Sequence, residues 1–142
     1  MRLLAVLTLV LRAALPAARG ALAEVAEADR RAIQGVIQDQ LQAFQADDGN
    51  RAFSHASPIL REYFGDPQTF MQMVQSGYDP VYRPREVEFQ GLEATDGTLV
   101  QKVLFVDRNG KAFLARCSMQ RQEDGSWKIN GVWLEALPDV ST

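Results

Sequence analysis

Two hydrophobic periods divide this chain. Over residues 27–47 the apolar residues Ile33, Val36, Ile37, Leu41 and Phe44 recur three and four apart, which predicts an amphipathic helix with one buried stripe. Gln40 falls inside that stripe. Gly49 reads as the helix stop and Asn50 as the cap of a short second helix over 51–56. Ser57-Pro58 and Asp66-Pro67 each pair an N-cap residue with a first-turn proline. They open two more helical segments, which place Ile59, Leu60, Tyr63 and Phe64, then Phe70, Met73 and Val74, and end at Gly65 and Gly77. Across 78–85, Pro80 and Pro84 hold Asp79 and Arg83 in extended geometry, so this segment carries the chain from helices to sheet.

Beyond it the period changes to two. Asp96-Gly97, Asn109-Gly110 and Asp124-Gly125 are two-residue hairpin signals, each lying between β-rich runs. They separate four predicted strands, 86–94, 99–107, 112–122 and 126–136, in meander order. In the third strand Phe113, Ala115, Cys117 and Met119 share the face that belongs against the helices. In the fourth, Trp127 and Ile129 begin on one face, and the apolar pattern resumes out of step at Val132 and Leu134. A bulge at Asn130-Gly131 accounts for the shift and would bend the sheet. The expected fold is α+β: N-terminal helices packed on a curved four-stranded antiparallel meander, cone-like and enclosing a small cavity.

The N-terminus follows neither period. Met1-Arg2, the hydrophobic run Leu3 to Leu11 and the Ala21-Leu22-Ala23 site before Glu24 match the three regions of a signal peptide. The run is shorter than the roughly 20 residues that cross a bilayer, and Arg12 interrupts it. Ala26-Glu27-Ala28 is a second candidate cleavage site, and an uncleaved N-terminal anchor or amphipathic helix is the alternative. The expectation is a signal peptide over 1–23 and a single domain over 24–142, periplasmic or secreted, with no stable membrane anchor after cleavage.

Removing the leader changes the charge. It contains Arg2, Arg12 and Arg19 and no acids, so of 15 basic and 18 acidic residues the mature chain keeps 12 and 18, a net charge of −6. An acidic chain without a basic run repels phosphate backbones, which argues against a nucleic-acid partner. Cys117 is the only cysteine, so no internal disulfide forms and packing alone must hold the fold.

A helix-first, meander-last chain ending in Trp127-x-Ile129-x-Gly131-Val132 resembles the nuclear-transport-factor-2-like or cystatin-like superfamily. Phe44 to Asp48, Ala56-Ser57-Pro58, Phe64 to Pro67, Gly77-Tyr78 to Arg83-Pro84 and Trp127 to Val132 resemble, in order and spacing, a family of small exported bacterial proteins of unknown function common in alphaproteobacteria. That resemblance implies a fold and a compartment but no activity or catalytic residues. The wider superfamily holds isomerases and dehydratases alongside inert binding and dimerising modules.

Few residues offer chemistry. His55 is the only histidine and a candidate general base, or else a surface or cap histidine beside the Ser57-Pro58 turn. It lacks the partners that a metal site of three or four ligands needs, so neither a metal nor another cofactor is expected. Cys117 alternates with apolar residues and reads as an inert buried thiol rather than a nucleophile. Gln40 either satisfies a backbone group near the bulge or lines the cavity. Tyr63, Tyr78, Tyr82 and Arg83 either cover the edge of the core or sit at a cavity mouth, where they would suit an anionic or aromatic ligand. The leading reading is a non-catalytic module that binds a small molecule or a protein in or around the cavity, with Gln40, Tyr63, Tyr78, Tyr82 and Arg83 as candidate ligand-binding residues. A homodimer through the outer sheet face, at Leu104 and Leu114, is one form of it. The alternatives are a small cavity enzyme of isomerase, dehydratase or hydrolase type using His55 or a tyrosine for proton transfer, and an accessory protein acting through an edge strand.

Overall fold

The computed structural model describes the backbone of residues 18–139 and the side chains of residues 27–139. The expected leader lies outside the described residues up to residue 17, and residues 18–23 form the opening backbone of the first helix. Among the described residues no helix is long and apolar enough to cross a membrane.

The architecture is α+β, with helices first and an open antiparallel sheet after them. Helix α1 spans Ala18–Gln45. It begins well ahead of the expected residue 27, because the Ala- and Glu-rich stretch before Asp29 has high helix propensity even without an apolar stripe. Its end also differs from expectation. The stop is Asp47, in the left-handed region at φ 51°, and not Gly49. The Asp48 N–H donates to the Ala43 carbonyl and the Asp47 N–H to the Phe44 carbonyl, at 2.8 and 3.1 Å, the paired bonds of a Schellman turn.

Gly49 instead opens α2, Gly49–Ser54, whose N-cap is Asp48 rather than Asn50. A Cβ on Gly49 would lie 3.0 Å from Met71 Cγ, so the glycine lets α2 approach α4 closely. Helix α3 spans Pro58–Phe64 and ends on Gly65 at φ 84°. Helix α4 spans Pro67–Gly77, with the Asp66 carboxylate accepting from the Thr69 N–H at 2.7 Å. The crossing segment holds a further helical turn, α5, Asp79–Tyr82, where Pro80 takes an N-terminal position and Asp79 is helical rather than extended.

Strands β1 (Glu86–Thr95), β2 (Thr98–Val106), β3 (Ala112–Arg121) and β4 (Trp127–Ala136) pair in the order β1-β2-β3-β4, the predicted meander. Only the first turn is a two-residue hairpin, with Asp96 at φ 49° and Gly97 at φ 78°. The other two are three-residue loops in which the glycine alone is left-handed, Gly110 at φ 80° and Gly125 at φ 85°. There the aspartates bond locally instead: the Asp107 carboxylate accepts from the Asn109 and Lys111 N–H groups, and that of Asp124 from Ser126.

The inner sheet face buries Val103, Phe105, Ala115, Cys117, Met119 and Ile129 against Ile33, Ile37, Leu41 and Phe44 of α1 and Phe70 and Val74 of α4. The β3–β4 register shifts between Ser118 and Met119, which makes Asn130 the extra residue of a bulge at the predicted place. A second bulge interrupts β1 between Phe89 and Leu92.

The edge of β4 is partly covered beside its bulge. The Ile129 N–H donates to the His55 carbonyl and the Ser57 N–H to the Ile129 carbonyl, both at 2.8 Å, so residues 55–57 form a short parallel bridge on that edge. Ser57 is fully buried, and its hydroxyl donates to Asn130 Oδ1 at 2.7 Å instead of capping α3. That bond ties the bulge to the start of α3.

Candidate functional site

Where the bulged edge of β4 meets the helices, a cavity of about 290 Å³ remains. Its floor is buried: Gln40 and Phe44 from α1, Phe70 and Val74 from α4, Val81 from α5, and Ile129. Its rim comes from the half-exposed Leu60, Phe64, Met73, Tyr78 and β4 segment from Asn130 to Val132, with the exposed Trp133 beside them. The lining is apolar and aromatic over most of its extent and contains no aspartate, glutamate, lysine, arginine or histidine. Its polar side chains are Gln40, Tyr78 and Asn130.

The five candidate binding residues do not form one set. Gln40 is 7% exposed, lines the floor, and donates from Nε2 to the Ala52 carbonyl at 3.1 Å. Its backbone partner therefore lies on α2 and not near the bulge. Tyr78 stands at the rim, and its hydroxyl donates to the Val132 carbonyl at 3.2 Å, covering a further stretch of the β4 edge.

The other three lie elsewhere. Tyr63 is 80% exposed and touches Phe64 edge-on, with ring centroids 5.0 Å apart. Tyr82 and Arg83 close the C-terminal end of α1. Arg83 donates to the Phe44 carbonyl at 2.6 Å and to the Asp47 carboxylate at 3.1 Å, and its guanidinium stacks 3.9 Å from the Tyr82 ring centroid. The Tyr82 hydroxyl donates to the same carboxylate. That bond lowers the Asp47 pKa and raises that of Tyr82. Burial by sequence neighbours in a proline segment does not decide which way a side chain leaves it, and here two of the four aromatic or basic groups leave toward α1.

His55 lies outside the cavity lining. Its Nε2–H donates to Asp39, which also accepts from Arg51 Nε at 3.0 Å. The Arg51 hydrogen bond, and after it that of His55, hold the Asp39 carboxyl well below the usual carboxylate range. The four-residue spacing of Arg51 and His55 marks their shared side of α2, but nothing local marks the acid facing them from α1.

Cys117 is buried on the inner sheet face, and desolvation pushes its thiol up to about 12. Among the described residues no three His, Cys, Asp or Glu side chains converge in a metal-binding arrangement. Leu60, Phe64 and Met73 line the cavity although their spacing marks them only as apolar helix positions. The slip in alternation marks Asn130 as a bulge residue, and its contribution to the lining depends on the fold around it.

Neither a curated protein nor a solved structure matches the chain. A family profile does, over residues 26–142, and the chain therefore belongs to the family of the domain of unknown function DUF4864.

Proposed function

We propose that this protein is a non-catalytic binding module whose cavity takes a small apolar molecule. The observation that carries this reading is the 290 Å³ cavity itself, lined almost wholly by apolar and aromatic side chains and reached from the β4 edge. An apolar cavity of about 150 Å³ suffices for benzene, and small-molecule sites begin near 300 Å³, so this space suits a bicyclic aromatic or a short aliphatic ligand. The proton-transfer alternative finds its histidine bonded to Asp39 and outside the lining, which leaves Tyr78 as the only ionisable side chain at the cavity.

Thermal melts of the purified protein against naphthalene, indole and medium-chain alcohols test the reading. At ten times Kd, binding to the folded state alone adds about 1.4 kcal/mol, a rise in Tm of about 5 °C for a domain of this size. A set in which no compound raises Tm would sink it.

The compartment belongs to the same proposal. Export is supported by the signal-like residues 1–23 and by a family match that starts at residue 26. N-terminal sequencing of the protein recovered from the extracytoplasmic fraction should begin at Glu24, and an intact Met1 would refute cleavage. Descent from the nuclear-transport-factor-2-like superfamily is supported by the helix-then-meander order and the β4 bulge. A homodimer through the outer sheet face draws support from Leu104 and Leu114, which pair directly there beside Val106, and light scattering on Leu104→Asp would show a monomer in place of a dimer.

A further inference from the structure

Within the proposed binding reading, on which this step rests, the floor of the cavity selects among apolar molecules. Gln40 is the one polar side chain of that floor, and it is more than nine-tenths buried. The Ala52 carbonyl can only accept a hydrogen bond, so the Gln40 nitrogen must face it and the amide oxygen must point away. Among the described residues no donor reaches that oxygen, yet it is not among the buried atoms sealed off without a partner. Gln40 lines the cavity, so the open space within reach of its side chain is the cavity.

A carbonyl oxygen held in an apolar chamber leaves a hydrogen bond unmade, and an apolar ligand that displaced water from it would strand it. The other polar groups stand at the half-exposed rim, where water can take up their remaining lone pairs, whereas Gln40 is buried. The Tyr78 hydroxyl is committed to the Val132 carbonyl, and Asn130 Oδ1 to the Ser57 hydroxyl, both at the rim. With no charged side chain in the lining, a carboxylate or ammonium entering this space would lose its hydration without gaining a counter-ion.

We propose that the cavity takes a neutral, largely apolar molecule bearing one hydrogen-bond donor, an N–H or O–H, which donates to Gln40 Oε1. The glutamine would then bridge ligand and Ala52, coupling occupancy of the cavity to the contact between α1 and α2.

Indole and benzofuran have the same shape and differ in the N–H that only indole carries. Their affinities for the wild-type protein and for Gln40→Met, measured by titration calorimetry or NMR, form a double-mutant cycle. Methionine keeps the length and apolar packing of glutamine but removes the acceptor, and Ala52 O keeps its bond from the His55 N–H. Thermal melts of Gln40→Met confirm that it is folded. The expected result is that the substitution weakens indole about tenfold relative to benzofuran, the worth of one net hydrogen bond plus the stranded acceptor. Benzoate, a charged aromatic, should bind at least about tenfold more weakly than indole to the wild type. If both bicyclic ligands bind and the substitution moves them equally, the donor rule is overturned while the cavity remains a binding site. Benzoate binding as tightly as indole would overturn neutrality. If none of the three binds, this inference is overturned, and the wider set of naphthalene and alcohols decides whether the binding reading survives.

Discussion

Asp39 accepts hydrogen bonds from Arg51 and His55, and these two residues keep it ionised far into acid. Its folded pKa lies below the unfolded value near 4, so its contribution to stability is complete above that value and is lost as pH falls toward the folded one. Asp39→Asn should therefore lower Tm at pH 7, and the gap to wild type should narrow progressively below about pH 4. Melts followed by circular dichroism at pH 7, 5, 4 and 3 measure this, and a gap independent of pH would show that the carboxylate's charge is not what stabilises α1 against α2. Cys117 behaves in the opposite way, since burial stabilises its neutral thiol and raises its pKa to about 12. A thiol reagent such as DTNB at pH 8 should leave the native protein unlabelled and react with one thiol per chain once it is unfolded. Stoichiometric labelling of the native chain within minutes would place Sγ within reach of solvent.

At the scale of elements, the end of α1 shows how neighbouring segments share one task. Four carbonyls at a helix C-terminus lack intrahelical partners. The Asp47–Asp48 turn satisfies two of them, those of Phe44 and Ala43, and Arg83 reaches back from the end of α5 to bond Phe44 again. Arg83 thereby joins two helices that are distant in sequence, with its guanidinium stacked on the Tyr82 ring and donating to Asp47. Arg83→Ala should lower Tm by about 4 °C, the shift that roughly 1 kcal/mol produces in a domain of this size, from loss of a charge-assisted hydrogen bond. Its affinity for indole should stay at the wild-type value, because no atom of Arg83 lines the cavity. Weakened indole binding at unchanged Tm would return Arg83 to the binding site, where its place beside the tyrosines in sequence had put it.

The cavity belongs to the molecule as a whole, since no single element contains it. It exists because the Asn130 bulge bends the edge of β4 while residues 55–57 and Tyr78 hold that edge against α3 and α4. Close packing elsewhere in the core makes so large a void costly unless something occupies it. Met73, half-exposed at the rim, is the position from which a larger side chain can enter without displacing the buried floor. Met73→Trp should keep or raise Tm and abolish the stabilisation given by indole. A Met73→Trp protein still stabilised by indole to the wild-type extent would mean that the ligand binds somewhere else.

The elements were legible in the sequence because their signals are local. The Ser57-Pro58 and Asp66-Pro67 starts, the Gly65 stop, the Asp96-Gly97 turn and the slip in alternation at Asn130 each depend on residues within a few positions of one another. Local signals misled where a tertiary contact competed with them, as at Gly49, which is small to admit Met71 and leaves the left-handed stop to Asp47. The sequence by itself determined the order of helices and strands, the meander, the bulge, the buried thiol and the interruption of the α1 stripe at Gln40. Only the tertiary structure decided what that interruption does. Residues 40, 78 and 130 share no period or spacing, and they meet because α1, α3, α4, α5 and the bulged strand β4 pack around one space. The direction of the Gln40 amide follows from the Ala52 carbonyl opposite it, and a partner twelve residues away on another helix leaves no mark in the pattern of the chain.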